Sequence, residues 1–256
     1  AVTDAYAASA KVAVAAPAAP GVTAWPYATF GPKGAVASQT EVADLDTVFV
    51  RFANGVRLTV KPTKFRDDQI LVKARVGHGL LDLPPASQSP LWAGSAYIEG
   101  GLKQISTQDM ERVLNGKVWN AGLGVEDDAF SLSGRTRPED LDTELQVLAA
   151  YAVEGGWRPE AFNRIKTYYG SIHDQLESTP GGVMSRDLGG LLHGGDGRWT
   201  FPSRQQIAGA SLEQLKSAVS GPLAADSIEV VIVGDITVDK AVAAVAQTFG
   251  ALPARA

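Results

Sequence analysis

Three short runs of alternating apolar and charged residues stand close together in the chain, and they constrain its fold most strongly. Val48 to Phe52 (VFVRF) and Val56 to Val60 (VRLTV) flank Asn54-Gly55, a dipeptide that accepts the positive φ angles of a two-residue turn. Ile70 to Val76 (ILVKARV) follows. Alternation with a period of two and a high content of β-branched residues predict half-buried antiparallel strands. Helices from the rest of the chain are therefore expected to cover one face of the sheet.

Helical periodicity and capping residues predict where those helices lie. We expect them at residues 89–99, from Ser106, over about 138–154, over 159–176, within 183–192, from Ser211, and from Thr237 to Gly250. Further strands are predicted at residues 117–122, 128–135 and 228–233. The order βββ-αα-ββ-αααα-β-α predicts an α+β fold, in which a mostly antiparallel sheet of about six strands has helices packed on one face.

The first 45 residues differ in composition from the rest. Residues 1–20 are rich in Ala and Val and end in a Pro/Ala stretch from Pro17 to Pro20, which predicts a short helix followed by a linker. Gly21 to Asp46 has neither a helical nor an alternating period, which predicts an extended arm lying on a surface. We therefore predict an extended linker or arm over residues 1–45 and a single domain over residues 46–256. The initial Ala indicates a piece of a longer protein.

Charge and composition argue against several classes of function. The chain has 256 residues, of which 23 are basic and 28 acidic, so no strong positive field is expected to attract nucleic acid. Its Ala/Val-rich start is interrupted by Asp4 and Lys11 and is too short to span a bilayer. The absence of cysteine excludes disulfides and thiolate metal sites but leaves the compartment open. Neither a nucleic-acid partner nor a membrane span is therefore expected.

The most specific motifs lie in three segments: FANGVRLTVKPTKFRDDQILVKARVGHG, LDTELQVLAAYAVEGGWRPEAFNRIKTYY and VIVGDITVDKAVAAVAQTFGALPAR. In the last of these, an apolar strand and GDI precede an amphipathic helix and FG-x-LP. Together the segments resemble one domain of the pitrilysin, insulysin and mitochondrial-processing-peptidase family, over about residues 46–255. The resemblance implies repeated domains, two to a half, whose halves close over a peptide chamber.

In that family the first domain carries an H-x-x-E-H motif, which supplies two zinc-binding histidines and a glutamate general base, and a later helix supplies a third ligand. Aligning the family pattern G-L-A-H-F-L-E-H-M-x-F-x-G with PLWAGSAYIEGG places Trp92, Ser95 and Ala96 at the three motif positions. No histidine occurs from Gly79 to Ile172, and the later helix reads AFNRIKTYYGSI without an acid. The resemblance therefore implies no catalytic residue, no metal ligand and no cofactor in this chain.

The chain has three histidines: His78, His173 and His193. With Asp174, Asp187 or Asp196 they could bind zinc, but their wide separation and the lack of paired ligand spacing disfavour such a site. A hydrolytic triad of His173, Asp174 and a serine is also conceivable, but the chain has no G-x-S-x-G elbow to expose a nucleophile. Neither interpretation is preferred.

Other motifs have plainer interpretations. The segments GGVMSRDLGG and LLHGGDGRW lack the spacing of phosphate-binding loops and are interpreted as loops or helix ends. The acidic run from Glu126 to Asp128 is interpreted as a solvated hairpin tip, with a weak surface calcium contact as the alternative. Trp92, Tyr97 and Trp119 are expected to be packing residues.

The resemblance implies a non-catalytic domain, the first of the inactive half of a zinc peptidase. The arm VTAWPYATFGPKGAV resembles the linker that precedes the third domain in bacterial two-half members of the family. The implied partners are the catalytic half of the same polypeptide, which would hold the zinc, and a peptide that adds to a sheet edge. Because such proteins are exported, the periplasm is implied as well. A structural scaffold and a self-sufficient metallohydrolase with dispersed ligands stay open as alternatives.

Overall fold

A mixed sheet of seven strands runs through the computed structural model, which describes residues 2–9, 21–22, 24–84 and 89–255. The strands are β1 (Val36–Val42), β2 (Thr47–Phe52), β3 (Arg57–Pro62), β4 (Ile70–Val76), β5 (Gly122–Val125), β6 (Phe130–Thr136) and β7 (Ile228–Gly234). Their order across the sheet is β1-β2-β3-β7-β4-β6-β5. β3 and β7 are parallel, and the other neighbouring pairs are antiparallel. The α+β class and the mostly antiparallel sheet are confirmed, with one strand more than expected.

Within the described residues, nine α-helices accompany the sheet. They are α1 (Val2–Ser9), α2 (Ser95–Glu99), α3 (Thr107–Val113), α4 (Leu141–Val153), α5 (Pro159–Glu177), α6 (Pro180–Leu192), α7 (Arg204–Gly209), α8 (Leu212–Ala225) and α9 (Val238–Gln247). Helices α4, α8 and α9 pack against strands of the sheet, whereas α5 packs against α2, α6 and α7. The helix α5 is therefore one layer further from the sheet than α4.

The alternation in the strands explains why one face of the sheet is covered. In β4, Ile70 and Val72 are buried in the core beneath the helices, whereas Leu71 between them is 49% exposed. Strands β2, β3 and β7 alternate in the same way. We call the uncovered side the open sheet face; it carries Leu71, Lys73, Arg75 and their cross-strand partners on β6 and β7. Burial of the apolar face of the sheet against the helices drives the packing of these two layers.

Capping residues begin several helices where the sequence predicts them. The side chains of Ser106, Ser211 and Thr237 each accept a hydrogen bond from the backbone N–H three residues later, at the starts of α3, α8 and α9. At Ser211 the glutamine three residues on returns a bond to the cap, which completes a capping box. These three starts are confirmed.

Strand β1 is the main departure from the predicted element order. Its sequence, VASQTEV, is almost entirely exposed, and it pairs with β2 from Val36 opposite Phe52 to Val42 opposite Thr47. As an edge strand it is held by backbone hydrogen bonds and needs no alternation of apolar residues. The arm predicted over residues 1–45 thus contributes a strand, which the sequence pattern does not reveal.

Other element boundaries also differ from the prediction. The strand predicted at residues 117–122 begins only at Gly122. Before that residue, the carbonyl of Val118 accepts its hydrogen bond from the Thr136 hydroxyl rather than from a backbone N–H. The helix predicted at residues 89–99 is divided into a 3₁₀ turn, Leu91–Ala93, and α2. Helix α7 was not predicted, and α9 ends at Gln247 rather than at Gly250.

The two most specific parts of the resemblance contact each other. The Asn54 side chain in the β2–β3 turn donates hydrogen bonds to the carbonyls of Phe249 at 2.9 Å and Leu252 at 3.1 Å. Gly250 approaches the arm closely. A Cβ at position 34 would lie 2.2 Å from the carbonyl oxygen of Gly250. Glycine at position 34 is required for this approach. The NGVRL hairpin and the FG-x-LP ending therefore form one structural unit with the arm.

The arm lies along α4. Trp25 Nε1 donates to Gln146 Oε1 at 3.0 Å, and the hydroxyl of Tyr27, a residue only 5% exposed, donates to Glu154 Oε2 at 3.1 Å. The linker predicted from Pro17 to Pro20 lies outside the described residues. The division of the chain into an arm and a domain at residue 46 stays a prediction.

Candidate functional site

The three motif positions lie in the 3₁₀ turn before α2 and in the first turn of α2. Trp92 belongs to the 3₁₀ turn Leu91–Ala93, and Ser95 and Ala96 open α2 itself. The Trp92 ring packs against Tyr169 of α5, with 4.7 Å between ring centroids and an interplanar angle of 46°. The fold thus brings together the two segments that the resemblance assigns to the zinc ligands. An aromatic contact joins them.

This contact extends into an aromatic cluster formed by Trp92, Tyr169 and Phe201. Tyr169 and Phe201 are stacked, with centroids 5.8 Å apart and an interplanar angle of 22°. Burial raises the pKa of Tyr169, so its hydroxyl stays protonated at neutral pH. Tryptophan, a neutral tyrosine and phenylalanine offer zinc no ligand, and neither do Ser95 and Ala96 in the first turn of α2. The residues present do not fit a zinc ion at this position.

Tyr97 and Trp119 take the packing roles expected of them. Tyr97 is 2% exposed, its hydroxyl donates to the carbonyl of Tyr151, and its ring lies 4.6 Å from that of Trp157. Burial raises the pKa of Tyr97 well above its ordinary value. Trp119 is half-buried at the edge of the core. Through its contacts with Tyr151, Tyr97 anchors α2 to the end of α4.

The three histidines lie in different surroundings. His78 is exposed and lies 3.4 Å from Asp82, His173 is buried with its Nδ1 3.6 Å from Glu177, and His193 stacks on Trp199. Within the parts of the chain that the structure describes, no three His, Asp or Glu side chains come together as a metal-binding group. The structure therefore supplies no geometry for the dispersed-ligand metal site.

The aspartates considered as partners of the histidines pair with arginines. Asp174 lies 2.5 Å from Arg204. The Arg186 guanidinium beside Asp187, and likewise Arg198 beside Asp196, holds the pKa of the carboxyl below its usual range. Because His173 faces Glu177 rather than Asp174, the proposed triad lacks its histidine–aspartate contact. The three carboxylates are engaged in ion pairs.

The Gly-rich segments are more helical than predicted. GGVMSRDLGG lies inside α6, which begins at Pro180 with Thr179 as its cap. A Cβ at Gly189 would lie 2.5 Å from the carbonyl oxygen of Trp199, so the glycine allows the chain after the helix to pack against it. LLHGGDGRW contains the end of α6 and a turn in which Gly194 and Gly195 have positive φ, as predicted for a helix end.

The acidic run from Glu126 to Asp128 forms the turn between β5 and β6, but it is not simply solvated. Glu126 lies 2.5 Å from Lys73, and Asp128 lies 2.7 Å from Arg75, both on the open sheet face. The Arg75 guanidinium holds the pKa of Asp128 below its usual range. Two of the three acids are thus neutralised by basic residues of β4, which weakens the case for calcium there.

Sequence reasoning missed Glu144, a fully buried carboxyl on α4. Its Oε2 accepts a hydrogen bond from the backbone N–H of Asn120 at 3.0 Å, whereas its Oε1 has no partner. Burial raises its pKa to about 8. A Cβ at Gly134 would lie 1.6 Å from Oε1, so glycine leaves the room that the carboxyl occupies. The signal was present, since Glu144 lies on the same face of the helix as Leu141, Leu145 and Leu148.

The open sheet face holds a pocket of about 730 Å³ beside β6. Its floor is formed by side chains of β4, β6 and β7, and the segment 118–120 forms one wall. The lining residues are Leu71, Val72, Lys73, Val118, Trp119, Asn120, Ser133, Gly134, Arg135, Val231 and Val233. The pocket is mainly apolar, with basic groups at its margin.

No family model matches the chain. Similar curated proteins include the chloroplastic stromal processing peptidases of Pisum sativum, 26% identical over 196 residues, and of Arabidopsis thaliana, 22% identical over 192 residues. Each alignment covers 73% of this chain and 15% of the relative. The chain therefore spans only a small part of the length of these relatives.

Solved structures match the fold. The periplasmic protease PqqL from Escherichia coli superposes with a TM-score of 0.74 at 18% identity, over 100% of this chain and 28% of PqqL. A peptidase M16 inactive domain from Pseudomonas fluorescens gives a TM-score of 0.64 at 18% identity, over 82% of this chain and 52% of that one. The chain has the fold of the M16 peptidases. The predicted resemblance to the pitrilysin and processing-peptidase family is thereby confirmed.

The aromatic cluster thus joins the two segments to which the resemblance assigns the zinc motif and the third ligand. The motif positions themselves were located from the sequence, but the contact between Trp92 and Tyr169 was not. Within the described residues, no helix is both long and apolar enough to cross a membrane.

Proposed function

We propose that this chain is the first domain of the non-catalytic half of a pitrilysin-type zinc peptidase. In this role it helps to form the peptide chamber, binds the substrate peptide and docks to the catalytic half of the same polypeptide, which holds the zinc. The observation that carries the proposal is the packing of Trp92 on Tyr169, because these two aromatic residues lie in the segments to which the resemblance assigns the metal ligands of the catalytic domain.

The comparisons support the same assignment. The superposition on PqqL covers all of this chain but only 28% of that protease, as expected for one domain of a larger enzyme. The Pseudomonas fluorescens structure is described as an inactive domain. Because PqqL is a periplasmic protease, we propose the periplasm as the location of the parent protein.

Zinc analysis and peptide hydrolysis test the proposal directly. The purified chain alone should contain much less than one zinc per molecule and should not cleave a fluorogenic peptide. When it is mixed with the segment of its parent polypeptide that carries H-x-x-E-H, hydrolysis should rise well above that of the segment alone. The matched control is the same mixture with the glutamate of H-x-x-E-H changed to glutamine, which should be inactive.

Two results would contradict the proposal. Stoichiometric zinc that is lost on substitution of His78, His173 or His193 would indicate a self-sufficient metallohydrolase. Binding of the two segments to each other without any gain in hydrolysis would favour a structural scaffold instead.

A further inference from the structure

Side chains that line the pocket on the open sheet face form two rows across the strands, as set by the pairing of β7, β4 and β6. In the first row, Val233 of β7, Leu71 of β4 and Arg135 of β6 lie side by side. In the second row, Val231, Lys73 and Ser133 follow the same order. Neighbouring strands are about 4.8 Å apart, so each row spans roughly 10 Å. Leu71, Val231 and Val233 thus form an apolar part of the pocket beside Lys73, and Arg135 forms the margin on the side of β6.

Three basic side chains on this face have acid partners. Lys73 lies 2.5 Å from Glu126, Arg75 lies 2.7 Å from Asp128, and Arg57 lies 3.8 Å from Glu229. Among the cations that line the pocket, Arg135 is the one for which the described residues supply no acid partner. Its side chain is exposed beside an apolar floor. A ligand carboxylate would therefore complete the local charge balance.

The wall beside Arg135 is held in place by several hydrogen bonds. Asn120 Oδ1 accepts from the backbone N–H of Arg135 at 2.7 Å, and Thr136 Oγ1 donates to the carbonyl of Val118 at 2.6 Å. The backbone N–H of Asn120 donates to Glu144 at 3.0 Å. A wall fixed in this way loses little conformational entropy when a ligand binds.

From this arrangement we infer that the pocket is a subsite for an extended peptide segment in which an aliphatic side chain lies beside an acidic side chain. The aliphatic group contacts Leu71 and Val233, and the acid pairs with the Arg135 guanidinium, whose planar N–H groups match a carboxylate. The volume, about 730 Å³, is typical of a ligand pocket. The inference rests on the proposed function and specifies the kind of peptide that the domain selects.

Fluorescence anisotropy with a labelled peptide tests the subsite. The probe is a short peptide, capped at both ends, whose centre reads Ser-Leu-Glu-Leu-Ser, and its partner has Gln in place of Glu. The chain should prefer the Glu peptide about fivefold, as expected for a partly solvated ion pair. Arg135→Gln should abolish that preference. The control is Arg51→Gln, which removes the same charge from β2 outside the pocket and should leave the preference unchanged.

The apolar part of the subsite has its own test. Leu71→Ser should weaken the binding of both peptides roughly threefold while leaving the preference for Glu intact. Thermal unfolding of each variant, followed by circular dichroism, separates loss of binding from loss of folding. Equal binding of both peptides by the unmodified chain would overturn the inference.

The subsite and the proposed function fail in different experiments. Loss of the acid preference together with restored hydrolysis in the two-segment mixture would overturn the subsite alone. A retained acid preference without restored hydrolysis would overturn the peptidase role and leave the subsite supported.

Discussion

Glu144 makes the stability of the fold depend on pH. A glutamate ordinarily titrates near 4.5, whereas burial raises the pKa of Glu144 to about 8 in the folded chain. Between these values the folded state keeps a proton that the unfolded state has released. Relative to its value at high pH, the free energy of unfolding therefore has its full contribution from Glu144 below about pH 4.5. This contribution decreases as the pH rises towards 8 and is absent above that value.

Glu144→Gln should remove this dependence, because the amide stays neutral at every pH and its oxygen can still accept the hydrogen bond from Asn120. At pH 9 the variant should be more stable than the unmodified chain by a few kcal/mol, since each pKa unit corresponds to about 1.4 kcal/mol. Urea unfolding at pH 5.5, 7 and 9 measures the difference. Asp142→Asn, at an exposed position of the same helix, is the control and should show no such trend. Parallel pH profiles for the unmodified chain and Glu144→Gln would contradict the assignment.

The contact between Trp92 and Tyr169 should be measurable as a coupling energy. A tilted aromatic pair in contact contributes about 1 kcal/mol beyond the area that it buries. The single variants Trp92→Leu and Tyr169→Leu and the double variant form a cycle in which that energy appears as non-additivity of the unfolding free energies. If the two single effects simply add, the contact of Trp92 with Tyr169 does not hold the 3₁₀ turn Leu91–Ala93 to α5.

At the scale of the elements, the capping box of α8 can be tested at one residue. Ser211→Ala removes the side-chain oxygen that accepts from the N–H of Gln214 and should lower the free energy of unfolding by about 1 kcal/mol. Ser217→Ala makes the same change at an exposed position inside the helix, where alanine is the better helix former, and should stabilise slightly. Denaturant unfolding of both variants gives the comparison. Equal effects at the two positions would rule out a capping role for Ser211.

The sequence predicted well those elements whose own residues show a strand or helix periodicity or a helix-start residue. Strand β4 and helix α5 begin where alternation and a first-turn proline predict, because each buries one face of its own sequence. Strand β1 could not be predicted, since it is exposed on both faces and is fixed only by its pairing with β2. The sequence alone shows that the H-x-x-E-H positions hold no histidine or glutamate. The contact of Trp92 with Tyr169 could not be predicted, because it depends on how α2 and α5 pack.

At the scale of the whole molecule, the arm and the domain meet in an extensive contact. Tyr27 is buried, Trp25 bonds to α4, and the N–H of Gly34 donates to the carbonyl of Ala246 in α9 at 2.8 Å. The arm and the rest of the chain thus share contacts across the boundary predicted at residue 46, and that boundary stays a prediction.

Deletion of residues 1–35 should lower the midpoint of thermal unfolding by roughly 5 to 10 °C, because it exposes the surface of α4 that Trp25 and Tyr27 cover. Deletion of residues 1–20 is the matched control, since it retains the contacts of Trp25, Tyr27 and Gly34 and should leave the midpoint nearly unchanged. Tyr27→Phe separates the two contributions, because it keeps the buried ring and removes only the hydroxyl that donates to Glu154. If the longer deletion unfolds at the same temperature as the full chain, the arm up to residue 35 is a separable linker. A large loss from the longer deletion would instead make the arm part of the folding unit.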